Sequence, residues 1–288
     1  MQYVNTSTKN QINLPHPSQG DAIVASVVIH LQALNGGSLF PETGRKIHGL
    51  WHELWRKKSP KIANDIHPQN SLPAFTVSPL MDLPRVNNGA IEILPGQQTW
   101  FRVTVLRADI SEMLFYGSDS WFGQLPSEVE LGPIRWKTIF QPFSPIDAMW
   151  SWVSSYQSLY NYSESSTQWK LEFTTPTGFS SRYTDFPIPL PDNLVTSWLK
   201  RWNTFCPAAF ELPENLAEIA RENLCISDYR LSSRHGERNT VGGIGKMTIK
   251  AYKLSPEIRA QLDTLFKYAF FCGSGHRTAQ GMGMTRLL

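Results

Sequence analysis

The sequence predicts an α+β fold built from two tandem ferredoxin-like halves, each running strand, helix, strand, strand, helix, strand. Three observations predict it. An alternating run at 22–34 gives way to a run of helical period from Thr43, and further strands and a second helix follow in ferredoxin-like order to about residue 142. A similar order of strands and helices returns after residue 166. The chain also closes on a helix, a glycine-rich loop and a short strand. With 288 residues, 41% of them apolar, it can bury two cores of ordinary size. The expected divisions are a loose polar arm at 1–20, a first domain at 21–142, a linker at 143–165 and a second domain at 166–288.

In the first half, Ala22 to Leu34 reads as a strand with Ile23, Ala25, Val27, Ile29 and Leu31 on one face. Its other face, Val24, Ser26, Val28 and His30, is mixed rather than polar. Asn35-Gly36-Gly37 breaks it. The helix from Thr43 carries Ile47, Leu50, Trp51, Leu54 and Trp55 at helical spacing, a stripe that predicts burial. His48 and His52 lie on one flank of that stripe, and Arg45 and Arg56 continue outward from them. Two imidazoles and two guanidinium groups on one side suit a scissile phosphate; a solvated basic face is the plainer alternative. Pro60 ends this helix, because the residue before a proline avoids helical geometry. A turn from Lys61 to Ile66 then delivers His67. Ala74 to Ser78 reads as a strand, Gly89–Leu94 and Thr99–Leu106 as a hairpin turning at Gly96, Asp109–Tyr116 as a helix and Val129–Phe140 as one strand.

Asp147 to Tyr160 reads as an aromatic-rich helix between the halves. In the second half, Trp169–Thr174 is a strand and Asn193–Phe205 and Pro213–Leu224 are helices. Cys225–Ser233 and Met247–Leu254 are a long hairpin whose tip, with Arg234, His235 and Arg238, forms a basic finger. Pro256 to Phe271 is amphipathic, and Gly273-Ser-Gly275-His276-Arg277-Thr278-Ala-Gln280-Gly281-Met-Gly283 follows it. Glycines without Cβ atoms allow positive φ and close backbone approach, so Gly273, Gly275, Gly281 and Gly283 can admit a polyanion beside His276, Arg277, Thr278 and Gln280. The order helix-loop-strand and Thr278 at the third glycine position exclude a dinucleotide fingerprint. No Gly-Lys-Ser/Thr follows, which excludes a phosphate-binding P-loop. A tight helix-to-strand turn remains the structural alternative.

A net charge of +3 does not by itself imply nucleic acid. Cys206, Cys225 and Cys272 are far apart and form no metal-binding or disulfide pattern, which fits a reducing cytoplasm. No apolar run approaches the ~18 residues a membrane span needs. Neither a metal nor a cofactor is expected. Most of the ten tryptophans and nine tyrosines should be core.

The closing loop with its helix resembles the C-terminal signature of the CRISPR repeat-processing endoribonucleases, the sixth family of Cas proteins in the RAMP superfamily. Phe173-Thr-Thr-Pro176-Thr177-Gly178-Phe179 is similar to the strand-and-turn motif opening that family's second domain. Ser59-Pro60 through His67, followed by Phe75-Thr-Val-Ser78-Pro79-Leu80, is similar to its N-terminal active-site region. The resemblance implies metal-independent cleavage of CRISPR repeat RNA by the substrate's own 2′-hydroxyl, leaving a 2′,3′-cyclic phosphate and a 5′-hydroxyl. It implies a site between the first helix and the following loop, with RNA and CRISPR effector subunits as partners. Carried over by position, His67 matches the histidine after the Ser-Pro turn, and His52 stands where some relatives have tyrosine. These two form the expected acid/base pair, with His48 in reserve, since imidazole titrates near neutrality. A lysine usual before the next strand is replaced by Pro73, leaving the cationic role to Arg45, Arg56, Lys57, Lys58 or Lys61. RNA contacts are expected from Arg277, the loop amides, Arg234 and Arg238. A non-catalytic RAMP-type guide-RNA-binding subunit and a nucleotide-dependent enzyme are the competing readings.

Overall fold

The computed structural model describes residues 21–66, 72–84, 86, 89–115, 125–139, 147–180, 184–236 and 240–288. The first half contains β1 (Ile23–Ala33), β2 (Gly37–Leu39), α1 (Gly44–Lys58), α2 (Pro60–Ile66), β3 (Phe75–Val77), β4 (Ile91–Ile93), β5 (Gln98–Val105), α3 (Ala108–Phe115), β6 (Glu128–Leu131) and β7 (Ile134–Ile139). After it come β8 (Trp152–Ser155) and α4 (Tyr156–Asn161). The second half contains β9 (Gln168–Thr177), β10 (Phe179–Ser180), β11 (Asp185–Phe186), α5 (Pro191–Phe205), α6 (Leu216–Asn223), β12 (Leu224–His235), β13 (Val241–Ala251), α7 (Pro256–Cys272) and β14 (Thr285–Leu287).

The first sheet runs β3-β5-β1-β7-β6, and the second runs β12-β13-β9-β14; every pairing is antiparallel. With α1 and α3 connecting the strands of one and α5 and α7 those of the other, both are ferredoxin-like. The α1 stripe packs as its period requires: Ile47, Trp51, Leu54 and Trp55 are buried against Val27, Ile29 and Leu31 of β1. Each such side chain stabilises the fold by about 1.5–3 kcal/mol. In the second core Trp169 stacks on Phe266 at 4.3 Å between ring centroids, and Trp198 meets the same ring edge-on.

On the mixed face of β1, Val24, Ser26 and Val28 are buried because the second domain covers them, while His30 is partly exposed. Val24 joins the second core, while Val28 packs with Trp150, Met284 and Phe270. Arg102 of β5 crosses this seam: its Nε donates to Ser26 Oγ at 2.7 Å, Nη2 donates to the Phe270 carbonyl, and the guanidinium lies 4.4 Å from the Phe270 ring centroid. Burial pushes its pKa down to about 9. The cation sits at the last turn of α7, where carbonyls point outward and favour positive charge.

Several local expectations change. Lys61–Ile66 is not a turn but part of the seven-residue helix α2, since Pro60 takes the first helical position, where a missing N–H costs nothing. β4 and β5 do not form a hairpin: β4 pairs with β2, and the Gly96 amide donates instead to the Ala33 carbonyl at 2.7 Å. The single strand expected at 129–140 is the hairpin β6–β7, turned by Gly132 at φ 64° and Pro133. The expected helix at 147–160 is the strand β8 followed by α4. β1 is 11 residues long, and among the described residues it meets β7 through His30–Ala33, so its residues 23–26 can pair with β8. Strand β13 begins at Val241, well before Met247, which puts Arg234 within a paired strand opposite Gly242.

Candidate active site at the domain seam

The closing loop, the turn after β9 and the segment Phe75–Leu80 converge. The Gly283 amide donates to the Pro176 carbonyl at 3.0 Å and the His276 amide to the Gly178 carbonyl at 3.0 Å, stitching the closing loop to the turn after β9. From the other side the loop meets α1 and the residues after β3. A Cβ on Gly281 would lie 2.8 Å from Gly44 Cα and 3.2 Å from the Pro79 nitrogen. Thr43 Oγ1 in turn accepts the Leu80 amide at 2.9 Å. Ala279 is 3% exposed and belongs to the core of the first domain.

The loop is held from within its own domain as well. Arg201 of α5, itself buried, donates through Nη2 to the Gly275 carbonyl at 2.8 Å and through Nη1 to Ser197 Oγ at 2.6 Å. Ser197 Oγ accepts the Gly275 amide at 3.1 Å, and Trp198 Nε1 donates to Ser274 Oγ at 3.0 Å. Arg277 adopts the left-handed region at φ 54°, and its carbonyl accepts the Gln280 amide at 2.8 Å. Gly275 and Gly283 have positive φ, and a Cβ on either would meet a backbone oxygen at 2.1 Å. Their lack of a side chain is thus explained by protein backbone on that side. The amides of Ser274, Gly275, His276, Gln280, Met282 and Gly283 all donate to protein acceptors, so the expected cradle of amides for an anion is narrower than the glycine pattern suggests.

His48 lies at the junction. Its Nδ1 is 2.7 Å from the Ala279 carbonyl oxygen, and its ring is 5.5 Å from that of Phe75. A carbonyl only accepts, so Nδ1 carries the hydrogen and neutral His48 has its lone pair on Nε2. His52, one turn on, is half-buried on the same flank. Arg45 is exposed; Arg56 is also exposed and pairs with Glu53, which lies 3.9 Å from Lys57 as well. His67 follows directly on α2 and lies outside the described residues, as does Arg238. Arg234 is exposed on β12. His276 Nδ1 is 2.6 Å from Ser180 Oγ and 3.7 Å from Asp185. Burial lowers its pKa below the usual imidazole value, against a smaller opposing pull from Asp185. Thr278 is buried, while His276, Arg277 and Gln280 are partly exposed. Gly44, Ala279, Arg102 and Arg201 escaped the sequence reading, because only a partner distant in sequence gives them a role. A small cleft at the seam is lined by Thr76, Ser78, Arg102, Gly273, Met282 and Met284. Among the described residues no three His, Cys, Asp or Glu side chains gather as a metal set, and no helix is long and apolar enough to cross a membrane.

Two ferredoxin-like domains thus meet through a glycine-rich loop that follows the last helix. Residues 171–285 match the model of the CRISPR-associated endoribonuclease Cas6 family, which bears out the resemblance read from the sequence. A Cas6 endoribonuclease of Streptococcus thermophilus is 25% identical over 132 residues, 45% of this chain and 54% of that protein; the match thus spans about half the relative's length. The fold agrees over far more. A Thermus thermophilus Cas6 in complex with product superposes with a TM-score of 0.72 at 23% identity, covering 92% of this chain and 100% of the other. Another Cas6, bound to a substrate mimic, gives 0.68 at 22% identity over 93% and 100% of the two chains. A RAMP protein described as binding different RNA substrates gives 0.55 at 12% identity over 92% and 99%.

Proposed function

We propose that this chain is an endoribonuclease that cuts CRISPR precursor RNA within its repeats, without a metal, to give guide RNAs. The observation that carries the reading is the meeting of the histidine flank of α1 with the closing loop, through His48 Nδ1 and the Ala279 carbonyl at 2.7 Å. An imidazole held through one nitrogen and carrying its lone pair on the other is suited to take the 2′-hydroxyl proton. A second imidazole, His52 or His67, would protonate the departing 5′-oxygen. Arg45, or a lysine among Lys57, Lys58 and Lys61, would offset charge on the phosphate. Attack by the 2′-oxygen on phosphorus breaks the bond to the 5′-oxygen and leaves a 2′,3′-cyclic phosphate and a 5′-hydroxyl.

Arg277 and Gln280 on the loop's exposed edge, Arg234 on the long hairpin, and Arg238 would contact RNA backbone and bases. The reading implies a cytoplasmic protein that works with repeat RNA and delivers product to CRISPR effector subunits. Repeat transcripts incubated with the protein in EDTA should be cut at one position. Cleavage surviving both His52→Ala and His67→Ala would discard both as the acid. A binding-only RAMP subunit is the second reading, and a His48 that serves only to join the domains would favour it. That reading predicts repeat RNA bound tightly and recovered uncut. The commitment of the loop amides to protein acceptors speaks against a nucleotide-dependent enzyme.

A further inference from the structure

We infer that the glycine-rich loop is a positioning element for the active site: the Ala279 carbonyl holds His48 in its Nδ1–H tautomer and thereby presents Nε2 as the proton acceptor. This rests on the endoribonuclease reading and gives the C-terminal domain a part in catalysis that needs no contact with RNA.

Two sets of contacts make the carbonyl a fixed point. On the loop side, Ala279 is buried within the core of the other domain, between Arg277, whose carbonyl takes two amides of the same turn, and Gly281 at φ 95°. Arg201 grips the Gly275 carbonyl two residues before that turn. On the helix side, Gly44 is the first residue of α1, and a Cβ there would fall 2.1 Å from the Gln280 carbonyl oxygen and 2.8 Å from Gly281 Cα. Backbone therefore touches backbone, and neither chain can shift without the other. Gly44 and His48 are four residues apart, so they share the face of α1 that meets the loop. One contact sets the place of the helix start, and the next, a turn later, sets which imidazole nitrogen bears the hydrogen. An imidazole free in water exchanges between tautomers, and only one of them offers its lone pair from Nε2. A hydrogen bond to the other nitrogen removes that choice before substrate arrives.

The tautomer is directly measurable. In the full-length, RNA-free chain labelled with nitrogen-15 at histidine, long-range proton–nitrogen spectra above the imidazole titration should show His48 protonated at Nδ1 with Nε2 bare. An Nε2–H pattern, or rapid averaging of the two forms, would overturn the proposal. A second measurement separates positioning from general disruption. Gly281→Ala puts a side chain at positive φ against Gly44, so turnover should fall on the order of 10²-fold while KM for repeat RNA changes less than about twofold. Loss confined to KM, with the His48 tautomer intact, would also overturn it. If Gly281→Ala does not fold, His48→Asn, which keeps a donor near the Nδ1 position, should match the wild type in stability while His48→Ala falls below it; equal stability of the two variants would sink the anchor. A folded wild type that cleaves no repeat RNA refutes the endoribonuclease reading instead, and the tautomer spectrum still decides the positioning.

Discussion

Helix α1 contains two glycines, Gly44 at its start and Gly49 in its interior, and the seam should make them behave oppositely. In a helix interior glycine costs about 0.5–1 kcal/mol relative to alanine. At Gly49 a Cβ would meet nothing within 4 Å, so Gly49→Ala should gain that amount. At Gly44 the same methyl would lie 2.1 Å from the Gln280 carbonyl oxygen, an approach real side chains do not make. Reaching ordinary contact requires helix start and loop to separate by more than about 1 Å, and overpacking of this kind costs about 1–3 kcal/mol. Gly44 is the first residue of the helix, where little propensity is gained, so the stability gap in favour of Gly49→Ala is at least about 1–3 kcal/mol. Urea denaturation of the two variants side by side reads that gap, and cleavage should persist in Gly49→Ala and fall in Gly44→Ala. Equal stability and equal activity would refute the account of the seam.

Three further outcomes follow from other contacts. Lys267 and Asp263 form a buried pair at 2.8 Å, and Lys267→Met should cost about 3 kcal/mol by stranding a carboxylate held by Trp169 Nε1 and the Glu164 amide; thermal unfolding at an unchanged Tm would contradict this. Burial holds His276 below its unfolded pKa, so the folded form resists protonation, and the stability this provides above about pH 6.5 is lost as pH falls through the folded value. His276→Gln should flatten the loss of stability on the acid side of that window, and an unchanged pH profile would rule this out. Arg277→Gln removes a partly exposed cation from the loop edge and should lower the salt slope of RNA affinity by about 0.7, the value for one phosphate of a single strand. An unaltered slope would assign Arg277 to the loop's conformation alone.

What could be read in the sequence was what local periodicity encodes. The α1 stripe is legible because Ile47, Trp51, Leu54 and Trp55 repeat at the helical period, and the closing helix and loop are legible because glycines punctuate them. Pairings were less legible. Nothing in Trp152–Ser155 says that β1 has an open stretch beside it, and nothing in Ile91–Ile93 says that β2 is a better partner than β5. The glycines were recognised, but their reason was not. Gly275 and Gly281 make room for the protein's own backbone at Gly178 and Gly44, a condition visible only in three dimensions. For the same reason the sequence puts His52 with His67 in the expected pair and leaves His48 in reserve. The carbonyl that bonds to His48 lies 231 residues away, at Ala279.

The most direct test is to map the ends of the products formed from a cognate repeat transcript in EDTA by the wild type and by His48→Ala. The account predicts one cut by the wild type, with a 2′,3′-cyclic phosphate upstream and a 5′-hydroxyl downstream, and loss of that cut in the variant. Uncut RNA, a 3′-hydroxyl end, or undiminished cleavage by His48→Ala would contradict it.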